Sequence, residues 1–80
     1  MKRSELAMWL KATRKRLGLA QSDVSAYLTF KLRRSVNQAR IVDHEKDRRL
    51  LSKAIIQILE AFFRQVEELR RMGRHWTEAR

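Results

Sequence analysis

Hydrophobic residues recur along this chain at intervals of three and four, which is the spacing of α-helices rather than of strands. Near the N-terminus Leu6, Leu10 and Leu17 fall on one stripe, with Lys and Arg on the remaining surface. Gly18 follows the stripe and is a suitable helix stop. The pattern predicts a first helix over residues 4–17.

A second stripe begins soon after Gly18. Val24 and Leu28 are four residues apart, and Gln21 is a suitable start for a helix that contains them. The segment 29–34, TFKLRR, contains no helix breaker. It either extends the second helix to about residue 32 or forms a loop.

Two further helices are predicted. Asn37 is a suitable N-cap for a helix that ends near residue 46, with Ile41 facing inward. A short polar turn, KDRR, separates it from a long helix over residues 50–72 that Gly73 stops. The last seven residues, RHWTEAR, have no periodicity, so we expect them to be mobile or docked through Trp76.

The long helix carries more apolar residues than one buried face requires. Five of them follow four-three-four-three spacing, and a sixth adjoins them: Ile55, Leu59, Phe62, Phe63, Val66 and Leu69. We predict that this seam holds two subunits together in a homodimer. Packing of the seam within a single chain is the alternative.

Composition narrows the class of protein. Eighty residues form one small domain, with no proline, two glycines and no cysteine, which favours an all-α chain without disulfides. Two histidines without cysteine do not suggest a metal site. No glycine-rich loop or spaced Ser/His/Asp set is present, so we expect no cofactor and no enzymatic activity. No apolar run has the roughly 20 residues of a membrane span, and no secretory segment is apparent, so we expect no membrane partner and a cytoplasmic location.

Charge gives the strongest indication of a partner. Nineteen Lys and Arg residues against nine Asp and Glu give a net charge of +10. Such a chain is attracted to a polyanion: nucleic acid, an acidic protein or an anionic membrane surface.

Two stretches resemble a known family. LKATRKRLGLAQSDVSAYL, residues 10–28, is similar to the first two helices of Cro-type, phage-repressor-like helix-turn-helix DNA-binding proteins. The residues that match that family's pattern are Leu10, Arg14, Gly18, Leu19, Gln21 and Leu28. VNQARIVDHEKDRR, residues 36–49, resembles its recognition helix: Val36, Ile41 and Glu45 match, His44 stands where an aromatic is usual, and Asp47 stands where glycine is usual. Leu28 and Val36 are eight residues apart, whereas about four is usual.

The resemblance implies a DNA-binding site on the third helix. The residues expected to contact bases are Asn37, Gln38, Ala39, Arg40 and Asp43. Glutamine can bond adenine, arginine guanine, and alanine a thymine methyl, whereas Asp43 either accepts from cytosine or restrains an arginine. The residues expected to contact phosphates are Gln21, Arg33, Arg34, Lys46, Arg48 and Arg49. Glu45 is expected to be structural.

The fold class expected is an all-α, four-to-five-helix, phage-repressor-like helix-turn-helix domain with a long C-terminal helix. Residues 1–59 would form the DNA-binding domain, 50–73 the long helix shared by core and dimer, and 74–80 a basic tail. The expected function is a dimeric repressor that binds a palindromic site in double-stranded DNA. An antitoxin or phage-encoded inhibitor that holds a toxin or other protein partner on the long helix or tail is the alternative, and a shape-specific RNA binder is a third.

Overall fold

Four α-helices follow one another in a computed structural model, which describes residues 3–79. They are α1 (Arg3–Arg16), α2 (Gln21–Leu32), α3 (Gln38–Glu45) and α4 (Lys53–Arg71), followed by a 3₁₀-helix at Trp76–Ala79. No strand occurs in this part of the chain, which confirms the prediction of an all-α domain. Residues 1, 2 and 80, at the ends of the predicted 1–59 domain and 74–80 tail, lie outside the described residues.

The first two helices end at residues in the left-handed backbone region. Gly18 has φ +71°, and the next amide, of Leu19, bonds back to the carbonyl of Arg14 at 3.0 Å. α2 does continue through TFKL, and ends because Arg33 adopts φ 54°. The six-residue segment 29–34 therefore lengthens the helix for four residues and turns only after them.

Side-chain caps fix the starts of α3 and α4. The Asn37 carboxamide oxygen accepts from the Arg40 amide at 3.0 Å, as the sequence predicts. The Ser52 hydroxyl accepts from the Ile55 amide at 3.2 Å, so α4 begins at Lys53, three residues later than predicted.

The core lies between α4 and the other three helices. Tyr27 of α2 stacks on Phe62 of α4 with ring centroids 3.8 Å apart, and Trp9 of α1 meets Phe63 edge-on at 5.6 Å. From the C-terminal side Trp76 packs edge-on against Phe62 at 6.2 Å. The tail is therefore docked through Trp76, one of the two outcomes expected for it.

The seam of α4 is not a free surface. All six side chains assigned to a subunit interface are at most 8% exposed in the single chain: Ile55, Leu59, Phe62, Phe63, Val66 and Leu69. Five of them belong to the central hydrophobic cluster. The reasoning behind that interface was wrong, because α1, α2 and the tail already cover the seam. A homodimer would need a different surface.

Candidate nucleic-acid interface

α3 has an inward and an outward side. Ile41 and His44 are buried, and since successive helical residues are turned by about 100°, the opposite side carries Ala39, Asp43 and Lys46. Ala39 and Lys46 are exposed, and Asp43 is half-buried. Residues of the N-terminal turn of α3 are thus accessible from solvent, as groove binding requires.

The five residues expected to contact bases are not equivalent. Asn37, Gln38 and Ala39 are exposed at the start of α3. Arg40 is half-buried on the flank beside His44, where it lines a polar hollow of about 220 Å³. Asp43 forms an ion pair with Arg48, with 3.6 Å between Oδ1 and Nη1. Of the two roles considered for Asp43, the structure therefore shows the one in which it restrains an arginine.

A polar network joins the base of α3 to its exposed end. Arg14 Nε donates to Glu45 Oε2 at 2.6 Å, and Nη2 donates to Oε1 at 3.1 Å. Gln21 Nε2 also donates to Glu45 Oε1, at 3.1 Å. The oxygen of the Gln21 amide then accepts from Gln38 Nε2 at 3.3 Å. The buried Glu45 carboxylate is thereby linked through the Gln21 amide to the Gln38 amide at the surface.

This network sets the direction of the Gln38 amide. Gln21 Nε2 is used on the carboxylate, so the Gln21 oxygen faces the Gln38 nitrogen. Gln38 keeps its oxygen and a second N–H for a ligand. An acceptor beside a donor is the pair that complements the N6 and N7 edge of adenine.

The Glu45 side chain is buried beside Arg14. Its side chain is 3% exposed, and that of Arg14 is 10% exposed. Arg14 also donates to the Leu19 carbonyl at 2.9 Å, so its guanidinium ties α1 to the start of α2 as well as to α3. The expectation that Glu45 is structural is confirmed.

Positive charge flanks α3 on both sides. Residues 31–49 contain seven Lys and Arg residues but only three Asp and Glu residues. One of those three is Glu45, whose carboxylate forms an ion pair with Arg14. Five of the six residues expected to contact phosphates are exposed: Arg33, Arg34, Lys46, Arg48 and Arg49. Gln21, the sixth, is half-buried at the start of α2 and bonded within the polar network.

His44 anchors the loop that carries Arg48 and Arg49. Its Nδ1 donates to the Arg49 carbonyl at 3.0 Å, so Nε2 is the unprotonated nitrogen, buried without a hydrogen-bond partner. Burial is the main cause that lowers the pKa of His44 below 6.5, and the nearby Arg49 and Arg40 add to the effect. His44 is thus a packed, neutral ring, as expected from its place in the family pattern.

Sequence reasoning missed two residues of this surface. Val42 is half-exposed and does not belong to the hydrophobic core, lying on α3 between Gln38 and Lys46. Thr29 Oγ1 accepts from the Val36 amide at 2.9 Å and donates to its carbonyl at 3.1 Å, which fixes the connection into α3. The helical position of Val42 relative to Ile41 was available from the sequence, whereas nothing local indicated the pairing of Thr29 with Val36.

Comparison with known proteins identifies no relative: no family model, curated protein or solved structure matches the chain. None of the helices within residues 3–79 is long and apolar enough to cross a membrane. The same residues contain no group of three or more His, Asp or Glu placed to hold a metal ion. The resemblance to Cro-type proteins stays a prediction that rests on the residues quoted for it.

Proposed function

We propose that this protein binds double-stranded DNA by placing α3 in the major groove, and that two copies repress transcription from a palindromic site in the cytoplasm. Repression by occlusion requires only binding at the site, so it is the simplest regulatory action for such a domain. The helix-turn-helix arrangement of α2 and α3 belongs to this proposal.

The observation that carries the proposal is the polar network from Arg14 to Gln38. A carboxylate on a DNA-facing helix would repel phosphates, but Glu45 is buried, paired and turned inward. Its remaining contact holds Gln21, which in turn holds Gln38 at the surface. α3 therefore presents neutral amides at its N-terminal end.

The basic residues on either side supply the second half of the argument. Arg33 and Arg34 precede the exposed amides in sequence, and Lys46, Arg48 and Arg49 follow them. Amides between two groups of cations suit a surface in which phosphates fix the position and base edges determine the sequence. An acidic protein partner would make use of the cations but not of the oriented amides.

Selection of binding sites from random duplex DNA tests the proposal. Gln38→Ala should cost about 1–3 kcal/mol on the selected site and little on random DNA. Thr77→Ala, which removes an exposed neutral polar side chain in the C-terminal 3₁₀-helix, is the control and should have no effect. Equal losses on both DNAs would show that Gln38 does not read a base.

Salt dependence tests the phosphate contacts. Lys46→Ala should weaken all duplexes alike and reduce the slope of log affinity against log salt by about 0.9. Absence of any selected sequence, together with salt-independent affinity, would refute DNA binding. A variant that exchanges the exposed side chains at positions 38 and 39, Gln38→Ala with Ala39→Gln, separates the alternatives without touching the Asn37 cap or the buried Ile41. It leaves the charge unchanged, so an acidic protein partner would tolerate it and a DNA site would not.

A further inference from the structure

Between residues 54 and 65, one side of α4 is largely accessible to solvent and carries no charged residue. Ala54, Ile58, Ala61 and Gln65 lie on it at intervals of four, three and four residues. Ala54, Ala61 and Gln65 are exposed, and Ile58 is half-buried against the core. We call these four residues the α4 stripe. Its spacing is that of a helix seam that packs against another helix.

The α4 stripe forms one wall of a groove. Tyr27 and Lys31 of α2 form the other wall, and the groove has a volume of about 400 Å³. Lys31 is the one charged residue of its lining, and its ammonium lies 5.8 Å from the Tyr27 ring centroid. The opposite side of α4 differs, because Glu60, Arg64 and Glu67 line the cleft toward α1 there.

Charge decides which partner suits this groove. The chain has a net charge of +10, so nucleic acid, acidic proteins and anionic membranes are drawn to its basic surfaces rather than to an uncharged one. Two copies of a chain this basic repel each other, and the local repulsion is smallest where the surfaces in contact carry few charges. We propose that the α4 stripe is the surface on which a second copy of this chain docks, with the two α4 helices antiparallel.

Side-chain size supports a second copy in particular. An isologous contact must be complementary to itself. When two antiparallel α4 helices meet with Ile58 opposite Ala61 of the other copy, the same register places Ala54 opposite Gln65. Ile58 and Gln65 of each copy, the two larger side chains, then each face an alanine of the other copy. The proposal rests on the proposed function in one respect, since a palindromic site requires a two-fold pair.

Cysteine trapping without DNA tests the docking surface directly, because the chain has no cysteine of its own. A tagged Ile58→Cys protein is mixed with an untagged Ala61→Cys protein under mild oxidation, which traps even a weak pair. In the proposed register the two sulfurs can meet, and a disulfide requires Cα atoms within about 7 Å. The matched control mixes Glu60→Cys and Arg64→Cys, exposed positions on the opposite side of the same helix.

The expected result is a mixed disulfide that forms at least about tenfold faster for the 58–61 pair than for the 60–64 pair. Equal rates, or faster trapping of the 60–64 pair, would overturn the proposal. A second variant, Ala61→Arg, adds a cation to the stripe without emptying the core. This variant should bind one half of the palindromic site as tightly as wild type does, but should lose cooperative binding to the two halves. Unchanged cooperativity would also overturn the proposal.

The two proposals fail separately. Trapping of the 58–61 pair by a protein that selects no DNA sequence would support the docking surface and refute the proposed function. Binding to a selected palindromic site without preferential trapping of the 58–61 pair would refute the docking surface and leave the proposed function standing.

Discussion

Replacing Arg14 with methionine tests the arrangement that orients α3. In the folded chain Glu45 accepts two hydrogen bonds from Arg14, at 2.6 and 3.1 Å, and one from Gln21 at 3.1 Å. Arg14→Met leaves a carboxylate that is 3% exposed with a single donor. It also removes the donor to the Leu19 carbonyl.

The expected cost is large for a domain of this size. Removing one partner of a buried ion pair costs about 3–5 kcal/mol, because the other charge stays buried without compensation. The free energy of unfolding of an 80-residue domain is roughly 4–12 kcal/mol. The double variant Arg14→Met, Glu45→Met should cost less than Arg14→Met alone, because it buries no unpaired charge.

Urea denaturation followed by circular dichroism measures these energies, with the m-value checked for each variant. Arg14→Lys is the matched control: it keeps the charge but lacks the planar group that donates twice, so it should lie between wild type and Arg14→Met. A loss under about 1 kcal/mol for Arg14→Met, or additive losses in the double variant, would refute the account of a coupled buried pair.

Three further predictions concern α3 and the turn after it. Asp47 has φ 58°, so Asp47→Gly should raise the free energy of unfolding by up to about 1 kcal/mol in the same urea assay. A lower free energy of unfolding in this variant would show that side-chain contacts of Asp47 outweigh the backbone strain. Folding lowers the pKa of His44, so near pH 6.5 the unfolded chain takes up a proton that the folded chain does not. The free energy of unfolding should therefore fall as the pH drops below 6.5. The fall in Tm between pH 7 and 5 should be smaller for His44→Phe than for wild type. An equal fall in both proteins would assign the pH dependence to other groups. Val42 lies on α3 between Gln38 and Lys46, so under the proposed function it should contact a thymine methyl group in the selected site. Replacing that thymine with uracil should then cost wild type about 0.8 kcal/mol, roughly fourfold in affinity, and cost Val42→Ala nothing. If every such replacement is neutral, Val42 touches no methyl group.

Local signals in the sequence predicted most helix boundaries. Gly18 and Gly73 stop helices because both adopt φ +71°, which residues with a Cβ rarely do. Asn37 caps α3 because a short carboxamide reaches the amide three residues on. Each of these features depends on a few neighbouring residues, so a single sequence is sufficient to find it. Ser52 gives the same kind of signal, and overlooking it shifted the start of α4 by three residues.

The candidate site was only partly predictable. The sequence indicated that Gln21, Gln38 and Glu45 matter, but not that one hydrogen-bond chain joins them, because Gln21 and Gln38 are 17 residues apart and depend on how α2 meets α3. Periodicity likewise found the apolar residues of α4 without showing what covers them. Phe62 is covered by Tyr27 of α2 and Trp76 of the C-terminal 3₁₀-helix, which are 49 residues apart in the sequence.

Burial of the α4 seam within one chain separates folding from pairing. Leu59, Phe62 and Val66 are at most 1% exposed without a second subunit, so a substitution on the α4 stripe can test the proposed pairing while the core stays intact. A stripe with two alanines and one isoleucine buries little apolar area, which places the contact among weak interfaces, below about 1,200 Å². Adjacent half-sites would then hold two copies at a high effective concentration, so that each half-site strengthens binding at the other. In such a protein the DNA, rather than the subunit contact alone, determines when the pair assembles.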